Sequence, residues 1–136
     1  MSALQLAALR GVDVRILIPE NPDQKLVYYS SFSYLEKAAK SGVKIYRYQP
    51  GFLHQKVMLV DDNVSTVGTA NFDNRSFRLN FEVTAVINDV DFASQMEQMF
   101  EADFAHAELI DPAELDEKPF WWHLGVNLSR LASPVL

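Results

Sequence analysis

His54 and Lys56 stand two residues apart, Asp61 follows after four more residues, and Gly68-Thr69-Ala70-Asn71 completes the group after another six. On an extended strand, residues two apart face the same side, so the His54 imidazole and the Lys56 ammonium are expected to project together. An imidazole able to attack phosphorus or donate a proton then lies beside a cation able to hold a phosphate oxygen, which is the pairing phosphoryl chemistry needs. Thr69 and Asn71 are again two apart, and their hydroxyl and amide can reach the same phosphate. Asp61 has the opposite parity and falls at a turn, where it is better placed to orient or brace than to react. Each residue taken singly has an ordinary structural reading, including Gly68, which alone marks a bulge or a close backbone approach. Six constrained positions within the eighteen residues from His54 to Asn71 make a much more specific pattern.

Several elements must hold these residues in place. Leu4 to Arg10 are helix formers stopped by Gly11. Val12, Val14, Ile16 and Ile18 alternate with Asp13, Arg15 and Leu17, reading as a strand that ends at Pro19 and Pro22. From Gln24 to Lys40 the apolar positions have helical spacing, and Gly42 marks the end. Val43 to Tyr48 alternate again, so strand, helix and strand form a βαβ unit with a parallel pair. His54 to Val60 read as a strand that turns at Asp61-Asp62-Asn63 and returns through Val64 to Val67 as a hairpin. Asn71 to Asn80 is polar and irregular with room for one short helical turn, and Phe81 to Ile87 read as a further strand. From Asp91 to Ala107, the residues Phe92, Met96, Met99, Phe100 and Phe104 mark a helix face, read as core packing.

The 136 residues fit one domain, and 49% hydrophobic against 22% charged residues is a globular balance. The absence of cysteine excludes disulfides, thiolate zinc sites and cysteine nucleophiles. No run approaches the ~18 apolar residues of a membrane-spanning helix. The net charge of −6 argues against a broadly basic nucleic-acid binder. That charge is uneven. Residues 1–80 carry ten basic against seven acidic side chains, whereas residues 81–136 carry two against eleven. A phosphate ligand favours the first part, while the acidic part also reads as a solvated helix surface. Phe120-Trp121-Trp122 opens a last segment with Leu124, Leu128 and Leu131 on one helical face, suited to a membrane interface or to docking onto further protein.

The motif resembles the HxKx4Dx6G(S/T)xN signature of the phospholipase D superfamily at every defining position. Its surroundings, Tyr48 to Leu53 before it and Phe72 to Glu82 after it, resemble bacterial cardiolipin synthases of the phospholipase D type, as does Arg10 to Pro19. The resemblance implies an α/β fold, a phospholipase D-like mixed sheet flanked by helices forming one half of a two-lobed molecule. It implies that His54 is one of two active-site histidines, Lys56 a phosphate clamp and Asp61 a support, with Thr69 and Asn71 bonding the phosphate or stabilising the loop. Glu82 matches a carboxylate that holds the second imidazole nitrogen, although a strand-edge salt bridge with Arg75 or Arg78 is the alternative reading. In two-motif members the first motif usually supplies the nucleophile, which makes His54 the acid/base. Lys25 lies where it can approach the headgroup or simply be solvated, and His106 and His123 are read as structural or surface residues.

The implied reaction converts two phosphatidylglycerol molecules to cardiolipin and glycerol through a phosphohistidine, with no metal and no cofactor. The expected setting is the bacterial inner membrane, with a membrane surface and phospholipid as partners and nucleic acid disfavoured. The expected organisation is a catalytic half-domain over 1–117, with the phosphodiesterase motif at about 48–75, and an amphipathic aromatic tail over 118–136. One motif and an abruptly starting first helix lead to the expectation of a C-terminal half that needs a second half in the same protein. The alternatives are a homodimer of single-motif phosphodiesterases acting on lipid or nucleic acid, or a non-catalytic remnant that binds lipid surfaces.

Overall fold

A computed structural model describes residues 1–20, 34–71 and 74–111. The helix α1 (Ser2–Leu9) and the helical residues 34–40, here α2, end in the same way. Gly11 and Gly42 take φ of +89° and +91°, a backbone region where a side chain is strained. In each case the glycine N–H and the next N–H bond back to the last helical turn: Gly11 to Ala8 O and Val12 to Ala7 O, then Gly42 to Ala39 O and Val43 to Ala38 O. The chain therefore reverses directly from each helix towards a strand.

Those strands are β1 (Arg15–Pro19) and β2 (Lys44–Tyr48), paired in parallel with Ile16 opposite Ile45. Leu35, Ala38 and Ala39 of α2 bury against Val43, Ile45 and Ile110, with Val14, Ile16 and Ile18 packed around them. The front of the expected Gln24–Lys40 helix, Lys25, His123 and the 118–136 tail lie outside the described residues.

The second group of strands is antiparallel throughout. β3 (Val57–Val60) and β4 (Val64–Gly68) form the expected hairpin around Asp61-Asp62-Asn63, and β5 (Thr84–Asn88) continues the sheet. Asp61 takes φ of +52°, a conformation aspartate tolerates better than most side chains. The short α3 (Asn74–Arg78) and the long α4 (Val90–Phe104) complete the helices among the described residues. Ladder bonding divides the strands into two three-stranded sheets, β1-β2-β6 and β3-β4-β5. Helix α4 packs against strands of both and so ties them together.

The stripe expected on α4 does face the core. Ala93 and Met96 are buried, and the Phe104 ring meets Tyr46 at 4.7 Å between centroids. The helix stops earlier than expected, however. Residues 107–109 form β6 (Ala107–Leu109), which fills the open edge of β2 in antiparallel register, with Tyr46 opposite Leu109. An unpaired strand edge must find partners for its N–H and C=O groups, and that demand overrides the helical tendency of the segment.

Asp89 caps α4, its Oδ1 accepting from the Phe92 N–H at 2.7 Å, while its own N–H donates to Asn63 O at 2.9 Å. One residue thus starts the helix and latches the tip of the hairpin. Replacing Asp89 by alanine keeps the backbone latch and removes the cap, so urea unfolding of the full chain should show a loss of about 1 kcal/mol.

Candidate active site

The end of the hairpin remote from its turn gathers Lys56, Gly68, Thr69 and Glu82. Residues 52–56 are not part of a ladder strand, so His54 and Lys56 precede β3 instead of belonging to it. The Lys56 carbonyl still accepts from the Gly68 N–H at 3.0 Å. Beyond that bond β4 has ended, so His54 and Gln55 have no strand beside them to continue the pairing. The Lys56 ammonium turns back to donate to the His54 carbonyl at 2.9 Å, and its charge also lies close enough to Glu82 to favour the ionised carboxylate. The His54 side chain is exposed, with its ring stacked on Phe52 at 5.2 Å and an interplanar angle of 20°.

Gly68 is required here by proximity. A β-carbon at this position would lie 2.5 Å from Thr84 Oγ1, 2.6 Å from the Val83 carbonyl oxygen and 2.9 Å from Thr84 Cα. The glycine lets β5 close against β4, and that contact carries residues 82 and 83 alongside Thr69. The Thr69 N–H donates to Val83 O at 3.0 Å, and the Val83 N–H donates to Thr69 Oγ1 at 3.0 Å. The Thr69 hydroxyl in turn donates to Glu82 Oε2 at 2.5 Å.

Glu82, two residues before β5, is therefore drawn into the site by that strand. Asn80 Nδ2 donates to its other oxygen at 3.2 Å. Hydrogen bonds from Thr69 first, then from Asn80 and Ser76, together with the Lys56 charge, hold the Glu82 carboxyl below the usual glutamate range. It is ionised at neutral pH. Because the folded-state value is the lower one, any stability gained is present above the ordinary glutamate value and is lost as pH falls through the depressed one. Among the described residues the carboxylate bonds neither the His54 imidazole nor Arg78.

Asn71 follows Thr69 on the same approach, and its N–H donates to Ser76 Oγ at 3.1 Å. Asp61 is in a different place. It sits at the turn of the hairpin, five residues from Lys56, or about 17 Å along a strand rising ~3.3 Å per residue. There it lines a small hollow with Asp62, Val90, Ala93, Ser94 and Glu97, a location from which it can only support the site indirectly. His106 is on the surface near the end of α4, its Nδ1 2.8 Å from Ala102 O. Among the described residues no three His, Asp or Glu side chains converge as a metal-binding group, and no helix is long and apolar enough to cross a membrane.

The residue pattern had not marked Ser76 or Asn80 for this region. Asn80 lies two residues before Glu82 on the approach to β5, and Ser76 meets Asn71 because α3 returns towards the hairpin.

The arrangement of strands and helices around this site is shared with a known class of fold. The chain superposes on the crystal structure of a phospholipase D family member, Nuc from Salmonella typhimurium, with a TM-score of 0.71 and 23% identity, covering 80% of this chain and 71% of that one. It also superposes on phosphatidylserine synthase from Haemophilus influenzae Rd KW20, with a TM-score of 0.74 and 16% identity, over 99% of this chain and 38% of that one. The fold is that of the phospholipase D class.

Within that class, residues 1–104 match the family described as cardiolipin synthase, PLD-like domain, and the chain belongs to it. It is 54% identical over 135 residues to cardiolipin synthase A of Pseudomonas putida (strain W619), covering 99% of this chain. It is likewise 54% identical over 136 residues to cardiolipin synthase A of Pseudomonas aeruginosa (strain LESB58). In both comparisons the chain spans 28% of the relative's length.

Proposed function

We propose that this chain supplies one half of a phosphatidyl-transfer site that makes cardiolipin and glycerol from two phosphatidylglycerol molecules. The observation that carries the reading is the 54% identity to cardiolipin synthase A along nearly the whole chain. Consistent with it, a cation, a hydroxyl and an ionised carboxylate lie together at one end of a hairpin beside an exposed imidazole.

In this reading a histidine from a second half attacks phosphorus of the first phosphatidylglycerol. The bond from phosphorus to the glycerol oxygen breaks, and His54 gives its proton to the departing glycerol. His54, now neutral, takes the proton of a hydroxyl on the second phosphatidylglycerol, whose oxygen attacks phosphorus and releases the first histidine. Lys56 stabilises the phosphate oxygens as charge builds up, with Thr69 and Asn71 alongside. Glu82 favours the protonated imidazole, and Asp61 braces the hairpin tip. In this reading the second half comes from the remainder of a longer protein, in keeping with a chain that spans 28% of its relatives' length. Phe52, Phe77, Leu79, Phe81 and Val83 are exposed around this end of the hairpin, an apolar rim that suits contact with that half or with the lipid. Because both substrates reside in bilayers, the reaction belongs at a membrane surface.

The test is to supply phosphatidylglycerol vesicles to the longer protein containing this segment and to quantify lipid products and free glycerol. Cardiolipin and glycerol in equal amounts support the reading. Phosphatidate without cardiolipin overturns transfer in favour of hydrolysis. Similarity of fold to 71% of the Nuc chain gives a specific alternative, two copies pairing their motifs. A dimer of the isolated chain that hydrolyses a phosphodiester would put that alternative in place of the first reading.

A further inference from the structure

We propose that Asn80 is a positioning residue that, with Thr69, holds the Glu82 carboxylate in a fixed orientation beside Lys56. The inference rests on the transfer reading for its catalytic consequence but on geometry alone for the positioning itself.

A threonine hydroxyl has one proton to donate and lone pairs to accept with, and it rotates to suit its surroundings. Thr69 Oγ1 already accepts from the Val83 N–H, so its proton is directed to Glu82 Oε2. Asn80, two residues before Glu82, adds an amide donor to the other carboxylate oxygen at 3.2 Å. Two neutral donors from separate segments therefore meet on one carboxylate, one at each oxygen.

The carboxylate is held by neutral groups instead of a cation, so its charge remains available to an imidazolium or to Lys56. Hydrogen bonds to charged groups are the stronger kind, so each donor matters to the ionised form.

The experiment follows the Glu82 carboxyl carbon by NMR through a pH titration of the full 136-residue chain, with Glu82→Gln identifying the resonance. In Asn80→Ala the midpoint should move upward towards that of an ordinary glutamate. Asn80 is exposed, so its truncation leaves no cavity and the variant should fold. In the longer protein the same variant should lower kcat about tenfold with little change in KM, the scale of one hydrogen bond to a charged group. A Glu82 midpoint that is unmoved in folded Asn80→Ala overturns the role of Asn80. A shifted midpoint in a longer protein that makes no cardiolipin would instead leave the positioning intact and overturn the transfer reading.

Discussion

Replacing His54 by alanine in the longer protein is expected to lower cardiolipin formation by about 10²–10⁴-fold, the usual contribution of a positioned acid/base. Glycerol is a poor leaving group as an alkoxide, so breaking its bond to phosphorus calls for a proton delivered at the moment of departure. In the proposed reaction the exposed His54 imidazole, two residues from Lys56, is the group that delivers it. The variant also discriminates between roles. A phosphodiester whose leaving group is 4-nitrophenol needs no proton, so it should restore much of the lost rate if His54 is the acid. If His54 is the nucleophile, the same substrate should give no recovery, because no phosphohistidine can form at that position. His106→Ala, on the surface near the end of α4, should leave the rate unchanged. A His54→Ala protein within twofold of the original would remove His54 from the reaction.

Gly68→Ala should destabilise the chain by about 1–3 kcal/mol, the range for forcing an extra methyl into packed structure. The new β-carbon would meet the Val83 carbonyl oxygen and Thr84 Cα within 3 Å, and both are backbone atoms that no rotamer change can move aside. The strand β5 must therefore shift as a unit. That shift breaks the reciprocal Thr69–Val83 bonds and takes Glu82 away from Thr69. Thermal unfolding should show a lower Tm by several degrees, and amides at Thr69 and Val83 should exchange faster with solvent. Activity of the longer protein should fall further than the stability loss requires, because the displaced residue is Glu82. A Gly68→Ala chain as stable as the original would show that β4 and β5 can separate at that point without cost.

Much of this architecture was legible in the residue pattern because it depends on local rules. Gly11 and Gly42 end helices because the left-handed backbone at those positions is cheap only for glycine. The alternation at Val14, Ile16 and Ile18 and at Val43 and Ile45 identified a parallel pair because both strands bury apolar side chains against α2. Asp61-Asp62-Asn63 announced a hairpin because such residues tolerate tight turns. The boundaries were less legible. The segment 54–56 has strand-like alternation, but a strand is defined by a partner, and β4 ends opposite Lys56. Residues 107–109 could have continued a helix until the edge of β2 offered them hydrogen bonds.

The types and spacing of His54, Lys56, Asp61, Gly68, Thr69 and Asn71 pointed to phosphoryl chemistry because they bring an imidazole, a cation, a hydroxyl and an amide around one predicted hairpin, and the family resemblance added Glu82. Only the tertiary structure decided that Gly68 serves to admit β5 and that Asn80 shares Glu82 with Thr69. Spacing along one strand can specify which side chains share a face, whereas a carboxylate bonded from two segments depends on where the chain returns in space.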